Sequence, residues 1–521
     1  MEGRNHLAIC RKPVPGLIGI GLRSYNIAMP IVLLFAWTSG DWTQYGADNW
    51  HSHHQLLKGA IDTPAVKWSF QADGMVECYG PGVADLDRDG RTEVIFGSCA
   101  GTVYCLDGAT GSLIWSYRTG SDAITAPLIK DFDGDGELDV VMGSFDGKVY
   151  CFSAAGAVKW SFDTRDQIWS SPAALDVSGD GRPEVFAGTR RDTLYCLDGP
   201  TGSVRWAAAL GRDIGPSSPA VGDVNGDGIP EVLVGCENGL LYCFNATNGA
   251  LLWTFKTEGT VWSSPGIVDV GGTKRIVFGS GDGWVYCLTG HGSLVWKHKV
   301  GQYTNSSPSF ADLDQDGSLE IVIGSSDGLL SCFSVDGSVK WTYPVNCDVH
   351  RGPAIADING DGWLEVLSSA HYHDTLNCVI GPTGSLAWRK VMGYDVHDIT
   401  VADVDDDGCA EIIFGTQSPT ALWVLDDPYD ARGCGSDTPE TPAGKDIPFM
   451  LGFIGGFRLI VPAPVFLEVN IHDPSGRLVS TLYAGYMSPG GYEFRPQLRR
   501  GVWLPVIKGE GFCITGRFVV R

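Results

Sequence analysis

Pro81-Gly-Val-Ala-Asp-Leu-Asp-Arg-Asp-Gly-Arg-Thr-Glu-Val-Ile-Phe-Gly-Ser-Cys-Ala-Gly-Thr-Val-Tyr-Cys-Leu-Asp-Gly-Ala-Thr-Gly-Ser-Leu-Ile-Trp115 decides the fold, because it holds one whole unit of a pattern that recurs about every 45 residues as far as Asp426. Four short strands alternate here with turns: a small-residue strand, an acidic loop, Val94-Ile-Phe-Gly97, Thr102-Val-Tyr-Cys-Leu-Asp107 and a last strand ending at Trp115. The first Asp of the loop returns at Asp131, Asp176, Asp223, Asp269, Asp312, Asp357 and Asp403, which makes eight units including Asp85. Four strands per unit at this period predict an all-β, eight-bladed β-propeller.

The tryptophans predict how the ring closes. The fourth-strand Trp recurs at Trp160, Trp206, Trp253, Trp296, Trp341 and Trp388, yet the eighth unit ends at Leu425-Asp426 without one. Trp68 stands before the first Asp loop, so residues 66–70 are expected to supply the outer strand of blade eight and close the ring from the N-terminal side. Closure leaves only short protected edges.

Seven of the eight loops read D-x-[DNS]-x-D-G-x-x-[DE]. They comprise Asp85, Asp87, Asp89 and Glu93; Asp131, Asp133, Asp135 and Asp139; Asp176, Ser178, Asp180 and Glu184; Asp223, Asn225, Asp227 and Glu231; Asp312, Asp314, Asp316 and Glu320; Asp357, Asn359, Asp361 and Glu365; and Asp403, Asp405, Asp407 and Glu411. Calcium takes six to eight hard oxygens, and this alternation turns successive oxygen side chains inward while Gly at position 6 permits the sharp turn. Up to seven structural calcium ions are expected; the alternative is an acidic turn solvated by water. The fifth copy, Asp269-Val-Gly-Gly-Thr-Lys-Arg275, has lost its ligands. The seven loops hold 25 carboxylates, which accounts for a net charge of -24. Such a charge argues against nucleic acid or anionic membrane as a partner.

With 44% hydrophobic residues, 70 glycines, 17 tryptophans and 19% charged residues, the chain of 521 residues is globular and can hold two or three domains. Residues 1–40, with Arg4, Arg11, Lys12 and Arg23 ahead of the apolar run 27–37 and the small residues Thr38, Ser39 and Gly40, read as a signal peptide. An uncleaved anchor and a start at Met29 are the alternatives. The mature chain is expected outside the cytoplasm, secreted or on the cell surface, without inserting in the membrane. Cys105, Cys151, Cys196, Cys243, Cys287, Cys332 and Cys378 recur at one strand position, too far apart in neighbouring blades for disulfides, and read as small buried hydrophobes.

If the Asp loops join the first two strands of each blade, the start of the first strand lies on the opposite face. The residues there vary from blade to blade: Cys78, Ile124, Trp169, Pro216, Trp262, Asn305, His350 and His397. Two readings follow. Asp348, His350, Asp395 and His397 make a candidate metal or acid/base centre, with His371 or His373 from a nearby hairpin. Trp169, Trp262, His371 and His373 make a candidate ligand mouth for a sugar or peptide. Polar residues simply capping a channel are the third possibility.

Over about two thirds of the chain, the segment Val103-Tyr-Cys-Leu-Asp-Gly-Ala-Thr-Gly-Ser-Leu-Ile-Trp115 resembles the repeat of pyrroloquinoline-quinone-type propellers, and the Asp loop resembles the FG-GAP repeat of integrin α-subunit propellers. The first resemblance implies that the Trp docks on the neighbouring blade. No adjacent Cys-Cys pair of the kind found in the quinone-dependent alcohol dehydrogenases is present, so no quinone cofactor is expected.

Residues 427–447, rich in Pro, Gly, Asp and Thr, read as a linker. Residues 448–521 then show alternating strands and Gly turns, as in Val465-Phe-Leu-Glu-Val-Asn-Ile-His472 and Pro489-Gly-Gly-Tyr-Glu-Phe494, and predict a small β-sandwich. This tail resembles FlgD-type immunoglobulin-like domains and type IX sorting domains, which implies a role in export or surface attachment through the secretion machinery. Its end, Gly501-Val-Trp-Leu-Pro-Val-Ile-Lys508, departs from the family's usual strand. The expected function is a binding module for a glycan or protein, or a structural or adhesion module. The alternative is a carbohydrate-active enzyme, such as a polysaccharide lyase, using the His/Asp group.

Overall fold

The computed structural model describes residues 42–427, except 50, 77–78, 346 and 370–373, and the backbone of the strands between 449 and 520. The expected signal peptide and linker lie outside the described residues, as do Cys78, His371 and His373. The described residues contain strands and turns, and no helix.

The chain first lays down β1 (His54–Lys58) and β2 (Ala65–Gln71), then blade 1 as β3 (Gly82–Ala84), β4 (Glu93–Gly97), β5 (Thr102–Asp107) and β6 (Leu113–Arg118). Seven further antiparallel blades follow, with inner strands Leu128–Lys130, Ala173–Leu175, Ala220–Gly222, Gly266–Val270, Ser309–Ala311, Ala354–Asp357 and Val396–Ala402. The ring closes as the tryptophans predict: β2 pairs antiparallel with Ala421–Asp426, Trp68 opposite Val424, as the outer strand of blade 8.

Burial follows strand order. β4 is buried along its whole length, as a strand sandwiched between two blades must be, whereas the outer strand β6 alternates between exposed and half-buried positions. The recurring Cys sits directly opposite the docking Trp, as in Cys105 with Trp115 and Cys332 with Trp341. All seven are buried free thiols; burial pushes those of Cys196 and Cys287 up to about 12, so the reactive thiolate is scarce at neutral pH.

Two devices join the blades. At seven junctions a Trp indole N–H donates to a backbone carbonyl of the next blade, from Trp68 to Gly108 O at 2.8 Å round to Trp341 and Gly381 O at 2.7 Å. The face of each such indole packs on a turn glycine with positive φ, for example Gly111 (+68°) on Trp68, where a Cβ would meet the ring at 2.6 Å. Nearer the axis runs a serine relay. The backbone N–H groups of Ala126, Ser171, Ser218 and Ser264 donate in turn to the hydroxyls of Ser171, Ser218, Ser264 and Ser307, each one blade further on.

The N-terminal segment does more than close the ring. Residues 42–49 and 51–55 travel round the inside of the inner strands in blade order. Trp42 exchanges two backbone hydrogen bonds with Val83 of blade 1, and the Thr43 carbonyl accepts from Ile129 of blade 2. Asn49, Ser52 and His53 carbonyls accept from Val221, Phe310 and Ile355 of blades 4, 6 and 7. His51 Nδ1 meets Pro265 O of blade 5 at 2.9 Å, and Gln55 Nε2 donates to Val401 O of blade 8 at 3.0 Å. β1 then pairs parallel with the inner strand of blade 7. An inner strand otherwise presents unpaired backbone groups to the channel, each costing about 1–3 kcal/mol if dry. At each contact named above the strap satisfies one of them. Its own polar groups are buried too: Tyr45 hydrogen-bonds Ser307 at 2.9 Å and stands edge-on to His51 and His53. Burial pushes His51, His53 and His54 down to about 4, 3 and 4, so all three are neutral at pH 7.

The C-terminal strands form a second unit. One sheet holds Phe449–Phe453, Gly456–Val461 and Gly490–Phe494; the other is built on Val465–His472, flanked by Leu478–Met487 and Gly501–Gly509. Both sheets are antiparallel.

Candidate functional site

Strand direction divides the propeller into two chemically distinct faces. Each inner strand runs into its Asp loop, so the Asp loops and the turns between strands three and four share one face. The turns between strands two and three and the connections from blade to blade form the other.

On the first face the seven complete loops share one geometry. The position-1 carboxylate accepts the backbone N–H of the position-6 glycine, as Asp85 does from Gly90 at 3.0 Å and Asp403 from Gly408 at 2.9 Å. Those glycines have φ between +85° and +98°, the left-handed turn the sequence demanded. In six loops the position-9 Glu reaches back to the N–H of the second loop residue, as Glu365 does to Ile358 at 2.9 Å. The position-9 groups are buried, and that burial, aided by neighbouring Asp side chains, pushes Glu93, Glu231 and Glu365 up to about 7, 7 and 8.

Several oxygens in these loops are left without a hydrogen bond. Asp312 Oδ1, Asp314 Oδ1, Asp357 Oδ1, Asp403 Oδ1 and Asp405 Oδ1 are buried and accept none. Ligand oxygens of Asp85, Asp87 and Glu93 lie within 4.8 Å of one another, as do those of Asp131, Asp133 and Asp135, of Asp312, Asp314 and Asp316, and of Asp403, Asp405 and Glu411. Converging hard oxygens with unused lone pairs are the donor set of a hard divalent cation. In blade 5, Gly271 and Gly272 make a tight hairpin, and Asp269 pairs with Lys274 at 2.7 Å.

The seven loops nevertheless fall into two groups that the loop spacing alone does not separate. In blades 2, 3, 6 and 8 the residue just before the docking Trp is a cation that reaches the loop carboxylates. Lys159 lies 2.6 Å from Asp133 and 2.8 Å from Asp139, and Lys340 lies 2.6 Å from both Asp314 and Glu320. Arg205 lies 2.8 Å from Glu184, and Lys67 2.6 Å from Asp405. In blades 1, 4 and 7 that position holds Ile114, Leu252 and Ala387. The signal was present in the sequence, but only the strand register shows which loop each cation meets.

On the second face, a groove of about 830 Å³ runs along the rim from blade 2 to blade 4. The turn residues Phe145 and Asp146, the connector 165–167, the turn residues Arg190 and Arg191 and the connector 211–213 line it. Trp169 stands beside it, stacked on Phe145 with ring centroids 5.3 Å apart, and the Arg190 guanidinium lies 4.4 Å from the indole centroid. Arg190 also donates to Gln167 Oε1 at 2.8 Å. Trp262 is elsewhere, packed over Gly215.

In blades 7 and 8, His350 Nδ1 is 3.7 Å from Asp348 Oδ2, both partly exposed, while His397 is buried on its inner strand and Asp395 is half-buried. Arg351 lies between them in sequence, 3.4 Å from Asp398 and 4.0 Å over the Tyr79 ring. Among the described residues, groups of three His, Cys, Asp or Glu ligands within 4.8 Å occur only in the Asp loops, so the structure does not bring His350 and His397 into one.

Comparison with known proteins places these features. Residues 85–142, 131–187 and 176–234 match the FG-GAP-like repeat, and residues 219–309 and 275–356 match the lambda-carrageenase β-propeller domain. No curated protein matches the chain. BamB from Moraxella catarrhalis is 19% identical with a TM-score of 0.52, covering 70% of this chain and 98% of its own. The quinohemoprotein alcohol dehydrogenase from Comamonas testosteroni is 13% identical with a TM-score of 0.59, covering 74% and 80%, and the computationally designed Ika8 protein is 17% identical with a TM-score of 0.51, covering 71% and 99%. At these identities the likeness is one of fold.

Proposed function

We propose that this chain, a β-propeller with FG-GAP-like repeats, is an extracytoplasmic, calcium-stapled module that binds a glycan or protein through the face opposite its Asp loops. The observation that carries this reading is the division of labour between the faces: repeated carboxylate loops on one side, a non-repeated arginine and aromatic groove on the other. Calcium is structural in this reading, because the loops join strands and sit away from the groove. The C-terminal unit attaches the propeller to the export machinery or the cell surface.

Screening the full chain on a glycan array, with calcium and with chelator, tests the proposal. Binding that survives in calcium and is lost when the propeller unfolds in chelator is the expected result. A chain that binds no glycan or protein, or whose stability ignores calcium, defeats it.

A catalytic reading draws support from the match of residues 219–356 to the propeller domain of a carrageenase, a span that includes Asp348 and His350. Under it, Asp348, His350, Asp395 and His397 act in polysaccharide cleavage. Depolymerisation of an acidic polysaccharide that disappears in His350→Ala is its test.

A further inference from the structure

The groove on the rim of blades 2 to 4 has a charge unlike the rest of the molecule. The chain carries 37 Lys and Arg against 61 Asp and Glu, yet four arginines, Arg165, Arg190, Arg191 and Arg212, gather at this one groove, all exposed. Carboxylates line it as well. Asp146 is taken up by the Tyr150 hydroxyl at 2.6 Å and the Gly120 N–H at 2.8 Å, and Asp166 by the backbone N–H groups of Arg191 at 2.6 Å and Gln167, whose N–H bonds its Oδ1 at 3.0 Å. Asp213 is the remaining acidic group at the margin.

The arrangement of the arginines is informative. Arg165 and Arg212 stand in successive inter-blade connectors, one position apart in register, since the counterpart of Arg165 is Gly211, both with positive φ; Arg190 and Arg191 stand on the turn between them. The positive charge is thus laid out as a row along the rim. A row spread over two connectors and the turn between them suits a linear ligand with charges at intervals better than a single phosphate. Arginine's planar fork matches sulfate and carboxylate oxygens in pairs. Arg190 is already oriented by its place over Trp169 and its bond to Gln167, so it loses little freedom on binding. Phe145, stacked on Trp169, adds an apolar ring against which the C–H face of a sugar can lie.

We infer that this groove binds a linear acidic polysaccharide, one bearing sulfate or carboxylate groups along its length. The inference rests on the binding-module reading and adds the ligand class. It is independent of the carrageenase-domain match, since the groove residues 145–213 precede residue 219. A nucleic acid fits less well, because a duplex brings about one negative charge per 1.7 Å and would press its phosphates against Asp213 and the acidic surface beyond.

Biolayer interferometry on the immobilised full chain, in calcium at 50 and 200 mM salt, tests this with dextran sulfate, hyaluronan, neutral dextran of matched length and an oligothymidylate. Dextran sulfate or hyaluronan is expected to bind, and whichever binds more tightly identifies sulfate or carboxylate as the recognised group. Arg165→Gln with Arg212→Gln is expected to weaken that binding at least tenfold and to flatten its salt dependence. Lys297→Gln with Lys299→Gln, on the outer strand of blade 5, is expected to leave it unchanged. Arg212→Gln alone, an exposed connector residue, carries the test if the double variant unfolds. Acidic glycan binding indifferent to both groove variants overturns the inference, as does oligothymidylate binding of equal strength and equal sensitivity. Binding of neutral glycans only, untouched by the arginine variants, overturns it while leaving the module reading intact. No glycan bound on the array ends the inference, and no protein captured either ends the module reading with it.

Discussion

The loops of blades 1, 4 and 7 and those of blades 2, 3, 6 and 8 have the same spacing and the same turn geometry, yet only the second group is bridged by a cation from the blade's outer strand. Lys67, Lys159, Arg205 and Lys340 bridge carboxylates that otherwise repel one another, while Ile114, Leu252 and Ala387 do nothing for theirs. A lysine on the outer oxygens does not exclude a metal on the inner ones: Lys340 holds Asp314 Oδ2, and Asp314 Oδ1 remains without a hydrogen bond. The difference therefore concerns what happens without metal. The bridged loops have an internal ion pair to hold their shape, the loops of blades 1 and 4 have none, and that of blade 7 has only Lys58 of the strap, 3.4 Å from Asp357.

Chelation should give the largest effect. An ion bound at 100 times its Kd contributes about 2.7 kcal/mol per site, so losing several lowers Tm by many degrees. Hydrogen exchange in chelator is expected to rise first in loops 85–93, 223–231 and 357–365, with 131–139 and 312–320 protected; equal exchange in all seven breaks the comparison.

Lys340→Met is next. It strands the buried Glu320 and is expected to cost about 3 kcal/mol in chelator and much less in calcium, by denaturant unfolding. A cost equal in both conditions would mean that the lysine acts through packing alone.

A pH effect follows for the unbridged loops. Glu93, Glu231 and Glu365 are pushed above their ordinary 4.5 to about 7, 7 and 8, so the folded chain holds protons there that the unfolded chain has released. Metal-free stability should fall as pH rises from about 4.5 to about 8, and calcium should flatten the curve. Bridging does not abolish the shift: burial also pushes Asp139 up to about 6 and raises Glu320, despite Lys159 and Lys340. Glu411 is pushed up to about 9 by burial although Lys67 is near, because that lysine sits 3.5 Å away and is shared with Asp405 and Asp426 at 2.6 and 2.9 Å.

The smallest expected effect is a gain. Leu252 is 46% exposed at the bridging position of blade 4, so Leu252→Lys should add about 0.5–1 kcal/mol in chelator and nothing measurable in calcium.

Much of the architecture was readable from the repeat. The blade count, the closing strand around Trp68, the buried Cys of the third strand in blades 1 to 7 and the left-handed Gly of each complete loop all follow from residues that recur, and recurrence survives without knowledge of the third dimension. What was not readable does not recur. Residues 42–58 have no periodicity, so nothing in them announces that His51 and His53 lie against the inner strands. The bridging cations were visible at one position, yet the partners of Lys159, Asp133 and Asp139, lie 26 and 20 residues away, reached only through strand register. The groove is illegible in the sequence for a similar reason: its arginines stand in connectors and turns that do not repeat, away from the first-strand positions Trp169 and Trp262.

The strap also fixes an order of assembly. Gln55 meets Val401, 346 residues further along the chain, and the backbone carbonyls of Asn49, Ser52 and His53 are claimed by three different blades. Contacts of such sequence separation form late and slowly. A closed ring offers no side entrance, so the earliest-synthesised part of the propeller must wait at the axis while eight blades gather round it. The last blade then locks both the circle and its contents. A chain cut between the strap and β2 after folding should keep its strap trapped, whereas one made without residues 42–58 should never finish a dry interior.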